Sequence, residues 1–298
     1  MTHAHALPMP EIKQATTPTG IRPKLFIDTN VCINVANEII PRDEWRKVRQ
    51  HIEAHYSYQI SFVTLKELFA KISRGEDDYF EESKKPLRVL CELASLEFLP
   101  YPPVFALRTV LGLKSVARRS ALPISEEELY ETVCKAILQC SGKAQLKAGV
   151  PDPRKPERIF SFDLDHFDRH ENGAQMQHMD LLKGIQADRV EMSDAMELAT
   201  FLLRDSGQTP DTESCSKLAN ALDAAYALSR KLGELSKNKQ ADLEKRVSEW
   251  GDIMQLYYLC DQSMHFLTSD EKCRKQTQGS TQHHRILLYK DFACSVAV

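Results

Sequence analysis

The chain has 298 residues, room for one large domain or two ordinary ones. Its 42% hydrophobic and 27% charged residues support a buried core and exclude wholesale disorder. A formal net charge of −3 excludes a generally basic coat, so a polyanion would have to be held by local Lys/Arg patches. No apolar run reaches the length of a membrane-spanning helix.

Residues 1–20, rich in Pro, Thr and His and without an apolar stretch, read as a disordered tail rather than a signal peptide. Eight cysteines, at 32, 91, 134, 140, 215, 260, 273 and 294, form no CxxC pair. They read as reduced, mostly buried side chains of a cytoplasmic protein.

The first ordered element is the run Lys24 to Asp28, a buried strand that ends on an acid, with a helix from Val31 to Asn37. Residues 43–56 place Trp45, Val48 and Ile52 on one face of an amphipathic helix. Gln59 to Thr64 reads as a second strand running into a helix from Leu65. Residues 86–98 read as a further helix with Pro86 in its first turn. Phe98 to Pro100 reads as a short edge strand. This order of strands and helices predicts an α/β sheet with mainly parallel strands.

Between 112 and 244 the strand signal fades and an all-helical insertion is predicted. Ser125 to Glu128 is a capping box before a stripe of Leu129, Val133, Ala136 or Ile137, and Cys140. Residues 151–172 read as a loop, 194–206 as a helix stopped by Gly207, and 212–236 as one long helix. The α/β pattern resumes with apolar positions over 241–260, a strand at 263–268 and a last strand at 285–289.

Ligands of open α/β sheets bind outside the carboxyl ends of the strands. Asp28 and Asp270 each follow a strand, Glu67 lies just beyond another, and Asp252 opens a helix after Gly251. Four acids drawn together repel one another, and a hard divalent cation such as Mg²⁺ or Mn²⁺ resolves the conflict with oxygen ligands. Such an ion polarises a phosphoryl oxygen and activates water.

LFIDTNVCINV at 25–35, SFVTLKELFAKI at 61–72 and GDIMQLYYLCDQSMHFLTSDEK at 251–272 resemble the signature regions of the PIN-domain nucleases. The resemblance implies a PIN-like three-layer α/β/α fold built from 21–111 and 245–298, with 112–244 as the large helical insertion. It implies Asp28, Glu67, Asp252 and Asp270 as catalytic, metal-binding acids, with Asn30, Thr268 and Ser269 as accessory polar groups. It further implies hydrolysis of single-stranded RNA, less often DNA, as an endoribonuclease that leaves a 5′-phosphate. A toxin, defence or RNA-processing role, an inhibitory or regulatory protein partner and a homodimer belong to the same expectation. Glu271 and Lys272 after Asp270 depart from the pattern, since many relatives have an aromatic nearby. Lys272, Arg274 and Lys275 are candidate phosphate contacts because they follow an expected ligand closely.

Competing readings exist for each residue. Asp28 and Asp252 could cap helices, Glu67 could be a solvated glutamate, and Asp270 a turn residue. Asp163, Asp165, His166, Asp168, His170 and nearby His178 could be taken for a second metal site, although an exposed loop explains them as well. A PIN-like RNA-binding or protein-interaction module without activity is the alternative to a nuclease. An aspartyl-phosphate phosphatase is disfavoured because Asn30 stands where its second acid belongs.

Overall fold

The structure is a computed structural model that describes residues 22–93, 97–113, 126–153, 155–189, 194–240, 242–246 and 248–296. The tail at 1–20 and the capping-box Ser125 lie outside the described residues.

In chain order the elements are β1 (Lys24–Ile27), α1 (Thr29–Ala36), α2 (Arg42–His55), β2 (Ser57–Ile60), α3 (Phe62–Arg74), α4 (Phe80–Ser83), α5 (Lys85–Leu90), β3 (Glu97–Phe98) and α6 (Pro102–Leu111). Then come α7 (Glu126–Gln139), α8 (Lys143–Ala148), β4 (Val150–Pro151), β5 (Ile159–Phe160), α9 (Asp165–Gln186), α10 (Ala195–Asp205), α11 (Thr212–Ala221) and α12 (Asp223–Ser236). The chain closes with α13 (Glu249–Leu256), β6 (Met264–Thr268), α14 (Glu271–Gln276), β7 (Ile286–Leu288) and α15 (Tyr289–Val296).

Five strands form one parallel sheet in the order β3-β2-β1-β6-β7. Successive side chains of a strand point to opposite faces, and both faces are covered. Leu25 and Ile27 of β1, Tyr58 and Ile60 of β2, and Leu267 of β6 join one core with α1, α2, α5 and α7. Phe26, Met264, Phe266 and Ile286 join a second core with α6, α12 and α13. Phe26 and Phe266 are register partners on adjacent strands and stack with centroids 4.8 Å apart. Such a pair adds about 0.5–1.5 kcal/mol beyond its buried area.

Several boundaries differ from the sequence reading. The strand expected at 59–64 ends at Ile60, because Ser61 caps α3 by accepting from the backbone N–H of Val63 and Thr64. The helix expected over 86–98 ends at Leu90, although Leu87, Leu90 and Leu93 are all buried. The long helix at 212–236 is broken at Leu222, whose buried side chain is held in non-helical backbone. Gln282 covers the break, accepting from Ala224 N at 2.8 Å and donating to Ala221 O at 3.1 Å. The last strand yields to α15 at Tyr289, and Arg285 is buried, donating to the carbonyls of Leu259, Asp261 and Met264. Asp194 caps α10, and Gly207 follows it at a φ of 78°, as the helix stop at Gly207 required.

The region 112–244 is not all-helical. The antiparallel pair of β4 and β5 closes a short hairpin, and the loop expected up to 172 is already α9 from Asp165. The acids there tie α9 to α3: Ser73 Oγ donates to Asp165 at 2.9 Å, and Arg74 is paired with Asp168. That occupies two of the acids read as a candidate second metal site. Tyr130, Val133, Ala136 and Ile137 of α7, and Cys140 just after it, are buried in the same core as β1 and β2.

All eight cysteines are free, five of them buried. Among the described residues no helix is long and apolar enough to cross a membrane.

Candidate active site

From β1 the chain builds outward to β2 and β3 on one side, and β6 and β7 fill the other, so the strand order reverses between β1 and β6. A crevice opens at the carboxyl ends of such neighbours. Asp28 directly follows β1, and Thr268 is the last residue of β6.

Asp28 continues the ladder, its N–H donating to Leu267 O at 2.9 Å, and its side chain is only 3% exposed. It stands at the N-cap position of α1 but makes no regular side-chain cap hydrogen bond. Oδ2 instead accepts from Thr268 Oγ1 at 2.7 Å and from Asn30 Nδ2 at 3.3 Å. Burial raises the pKa of Asp28, and Asp270 adds to the rise; the Thr268 hydroxyl and the backbone N–H groups of Asn30 and Thr29 offset part of it.

Glu67 lies in the second turn of α3, one turn beyond Thr64. Thr29 Oγ1 donates to Glu67 Oε2, fixing this carboxylate beside the β1 end. A buried network sets the height of the helix. Thr64 Oγ1 donates to Ile27 O at 2.9 Å, Gln255 Nε2 donates to Thr64 Oγ1 at 2.9 Å, and Ser61 Oγ donates to Gln255 Oε1 at 2.7 Å. Gln255 stands one turn after Asp252 on α13, so the network couples the Glu67 helix to the Asp252 helix and both to the β1 end.

Asp252 does not open its helix. It is the fourth residue of α13, which starts at Glu249. Gly251 beside it leaves room for the Glu67 carboxylate, with which a β-carbon there would collide. Asp252 accepts no hydrogen bond among the described residues. Its pKa is pushed well above the usual carboxylate range, by burial first and then by the charges of Asp28, Glu67 and Asp270. The Cys273 thiol is pushed up in the same way, by burial and by Asp252, Asp28 and Asp270.

Asp270 caps α14, Oδ1 accepting from Lys272 N at 2.7 Å and Cys273 N at 3.1 Å. Its own N–H donates to Thr268 Oγ1 at 2.9 Å, so one hydroxyl bridges Asp28 and Asp270. Ser269 is half-buried and makes no side-chain hydrogen bond among the described residues. Of the basic residues beyond, Lys272 pairs with buried Glu249, Arg274 pairs with Asp291 at 2.9 Å, and Lys275 is exposed.

The four acids thus come from β1, α3, α13 and the β6–α14 turn into one electrostatic neighbourhood. Their donors are all carboxylate oxygens, with Thr and Asn as neutral companions, which fits a hard divalent ion and not a soft one. Among the described residues no three His, Cys, Asp or Glu side chains are close enough to enclose an ion by themselves.

The sequence reading singled out the four acids but gave Thr29, Thr64, Gly251 and Gln255, which position them, no such role. Spacing carried a partial signal: Thr64 and Gln255 each stand three residues from an acid on the same helix. No protein-family model, curated protein or solved structure is significantly similar to the chain.

Proposed function

We propose that the chain is a divalent-metal-dependent nuclease with a PIN-like α/β/α fold, an endoribonuclease acting on single-stranded RNA. The observation that supports this most is the convergence of Asp28, Glu67, Asp252 and Asp270 at the reversal of strand order, with Asp252 half-buried, undonated and repelled by the other three. Carboxylates so arranged are disfavoured until a cation joins them.

In this reading Asp28, Glu67, Asp252 and Asp270 hold Mg²⁺ or Mn²⁺. The ion, when bound, supplies Lewis-acid activation of water and of the scissile phosphate. The chain's own residues fix the acids. Thr268 and Asn30 orient Asp28, Thr29 orients Glu67, and the α14 cap orients Asp270. A cytoplasmic setting with reduced cysteines, and RNA as the partner, belong to the same proposal.

That no three His, Cys, Asp or Glu side chains among the described residues enclose an ion by themselves also suits a PIN-like module that binds RNA without cutting it. Incubation of a labelled single-stranded RNA with the protein, in Mg²⁺ or Mn²⁺ and in EDTA, separates the two. Cuts that need the ion and leave 5′-phosphates support the nuclease. Binding without cuts in either ion supports the module.

A further inference from the structure

A cavity of about 530 Å³ lies between α3, α9 and α13, and Glu67 of the acid cluster forms part of its wall. The volume falls within the roughly 300–1,000 Å³ of small-molecule sites. Two aromatic pairs line it. Phe62 and Tyr101 meet edge to face at 5.6 Å and 84°, and His178 and Trp250 lie ring against ring at 5.4 Å and 36°. Phe62 starts α3 and Trp250 is the second residue of α13, so the same helices that carry Glu67 and Asp252 carry these walls.

His178 is the unexplained group. It is 5% exposed, yet neither ring nitrogen has a hydrogen-bond partner. Buried polar groups are almost always paired, so this imidazole is suited to a partner that enters the cavity. Burial brings its pKa down to about 4, so near neutral pH the ring offers one N–H donor and one bare nitrogen acceptor. Gly173, five residues earlier on α9, also lines the space, and a β-carbon there would meet nothing within 4 Å.

We propose that this cavity is a nucleobase subsite: a base of a single-stranded nucleic acid enters it, stacks on the aromatic pairs and is read along its edge by His178. Single-stranded recognition works through such stacking and edge hydrogen bonds. A base seated here lies against the wall that Glu67 forms, which brings its nucleotide to the proposed metal site. The inference rests on the nuclease reading for that placement alone. A metal site is a poorer match, because among the described residues that line the cavity His178 is the one His or Cys. A purely apolar ligand would leave both imidazole nitrogens unpaired.

The test uses the full chain in EDTA, with Trp45→Phe so that Trp250 is the remaining indole of the two. The four nucleoside monophosphates are titrated while Trp250 emission is followed. The expected result is a saturable change with about tenfold preference for one base. Gly173→Leu fills the open space and replaces a helix glycine with a better helix former, so it should fold and lose binding. His178→Phe should keep stacking and lose the preference.

No emission change with any nucleotide at millimolar concentration, from folded protein, overturns the proposal. So does binding that Gly173→Leu leaves intact, or a base preference that survives His178→Phe. Because the titration contains no metal, it is independent of cleavage. Nucleotide binding by a protein that cuts nothing sinks the nuclease reading and leaves the subsite standing; cutting by a protein that binds no nucleotide does the reverse.

Discussion

Thr268 Oγ1 donates to Asp28 Oδ2 at 2.7 Å, joining the ends of two adjacent strands that lie 240 residues apart in the chain. The same oxygen accepts from Asp270 N at 2.9 Å, so one buried hydroxyl positions two of the four acids. Thr268→Val keeps the shape and removes both roles. It should cost about 1–3 kcal/mol of stability, the usual loss for a buried bond to a charged group. Because that bond lowers the pKa of Asp28, its loss raises it further, so the variant should also bind divalent ions more weakly at pH 7. Urea denaturation in EDTA and calorimetric Mn²⁺ titration read the two effects; a variant unchanged in both contradicts the arrangement.

Gly251→Ala tests the approach of α13 to α3. Alanine is the better helix residue by about 1 kcal/mol, but its β-carbon would collide with Glu67 Oε1. Glu67 must swing away and lose its bond from Thr29. The expected outcome is a folded protein by circular dichroism with Mn²⁺ affinity and cleavage reduced together. Wild-type metal affinity would show that the position of Glu67 is immaterial.

The buried polar network predicts non-additivity. Thr64→Val alone strands the amide of Gln255, and Gln255→Leu alone strands Thr64 and Ser61. Each single change should cost about 1–3 kcal/mol, while the pair, which removes both partners, should cost less than the sum. Chemical denaturation of the double-mutant cycle decides it, and simple addition would mean the bonds do not couple.

Asp28 and Asp252 fix the sign of the pH dependence. Their folded pKa values are raised, so the folded chain keeps protons that the unfolded chain releases from about pH 4 upward. Their contribution to stability is fully present below that pH and is lost as pH rises through the raised values. In EDTA the protein should therefore be more stable at mildly acidic pH than at neutral pH, with respect to these groups. Asp252→Asn should flatten that slope and raise the melting temperature in EDTA. Saturating Mg²⁺ should stabilise wild type more than the variant. A melting temperature lowered by Asp252→Asn in EDTA would mean that the acids are not in conflict.

The sheet was legible because strands buried on both faces are short continuous apolar runs, as in Leu25 to Ile27 and Phe266 to Thr268. The acids were legible because each follows, or nearly follows, such a run or a helix start. What places them was not. Thr64 and Gln255 look like ordinary polar residues of amphipathic helices until their 191-residue separation closes. Gly251 reads as punctuation until Glu67 stands against it. The start of α9 read as a loop because Asp165 and Asp168 look solvated, and their partners Ser73 and Arg74 lie 92 and 94 residues away. His178, set aside with those acids, gained meaning only from the cavity around it.

The most direct measurement is cleavage of a mixed-sequence single-stranded RNA by wild type and by Asp28→Asn, each in Mn²⁺ and in EDTA, with matched circular dichroism spectra. The account expects Mn²⁺-dependent cuts from wild type, none in EDTA, and at least a hundredfold loss in the variant, about 2.7 kcal/mol of transition-state stabilisation. Equal cleavage by a correctly folded Asp28→Asn protein, or cleavage undiminished in EDTA, would contradict it.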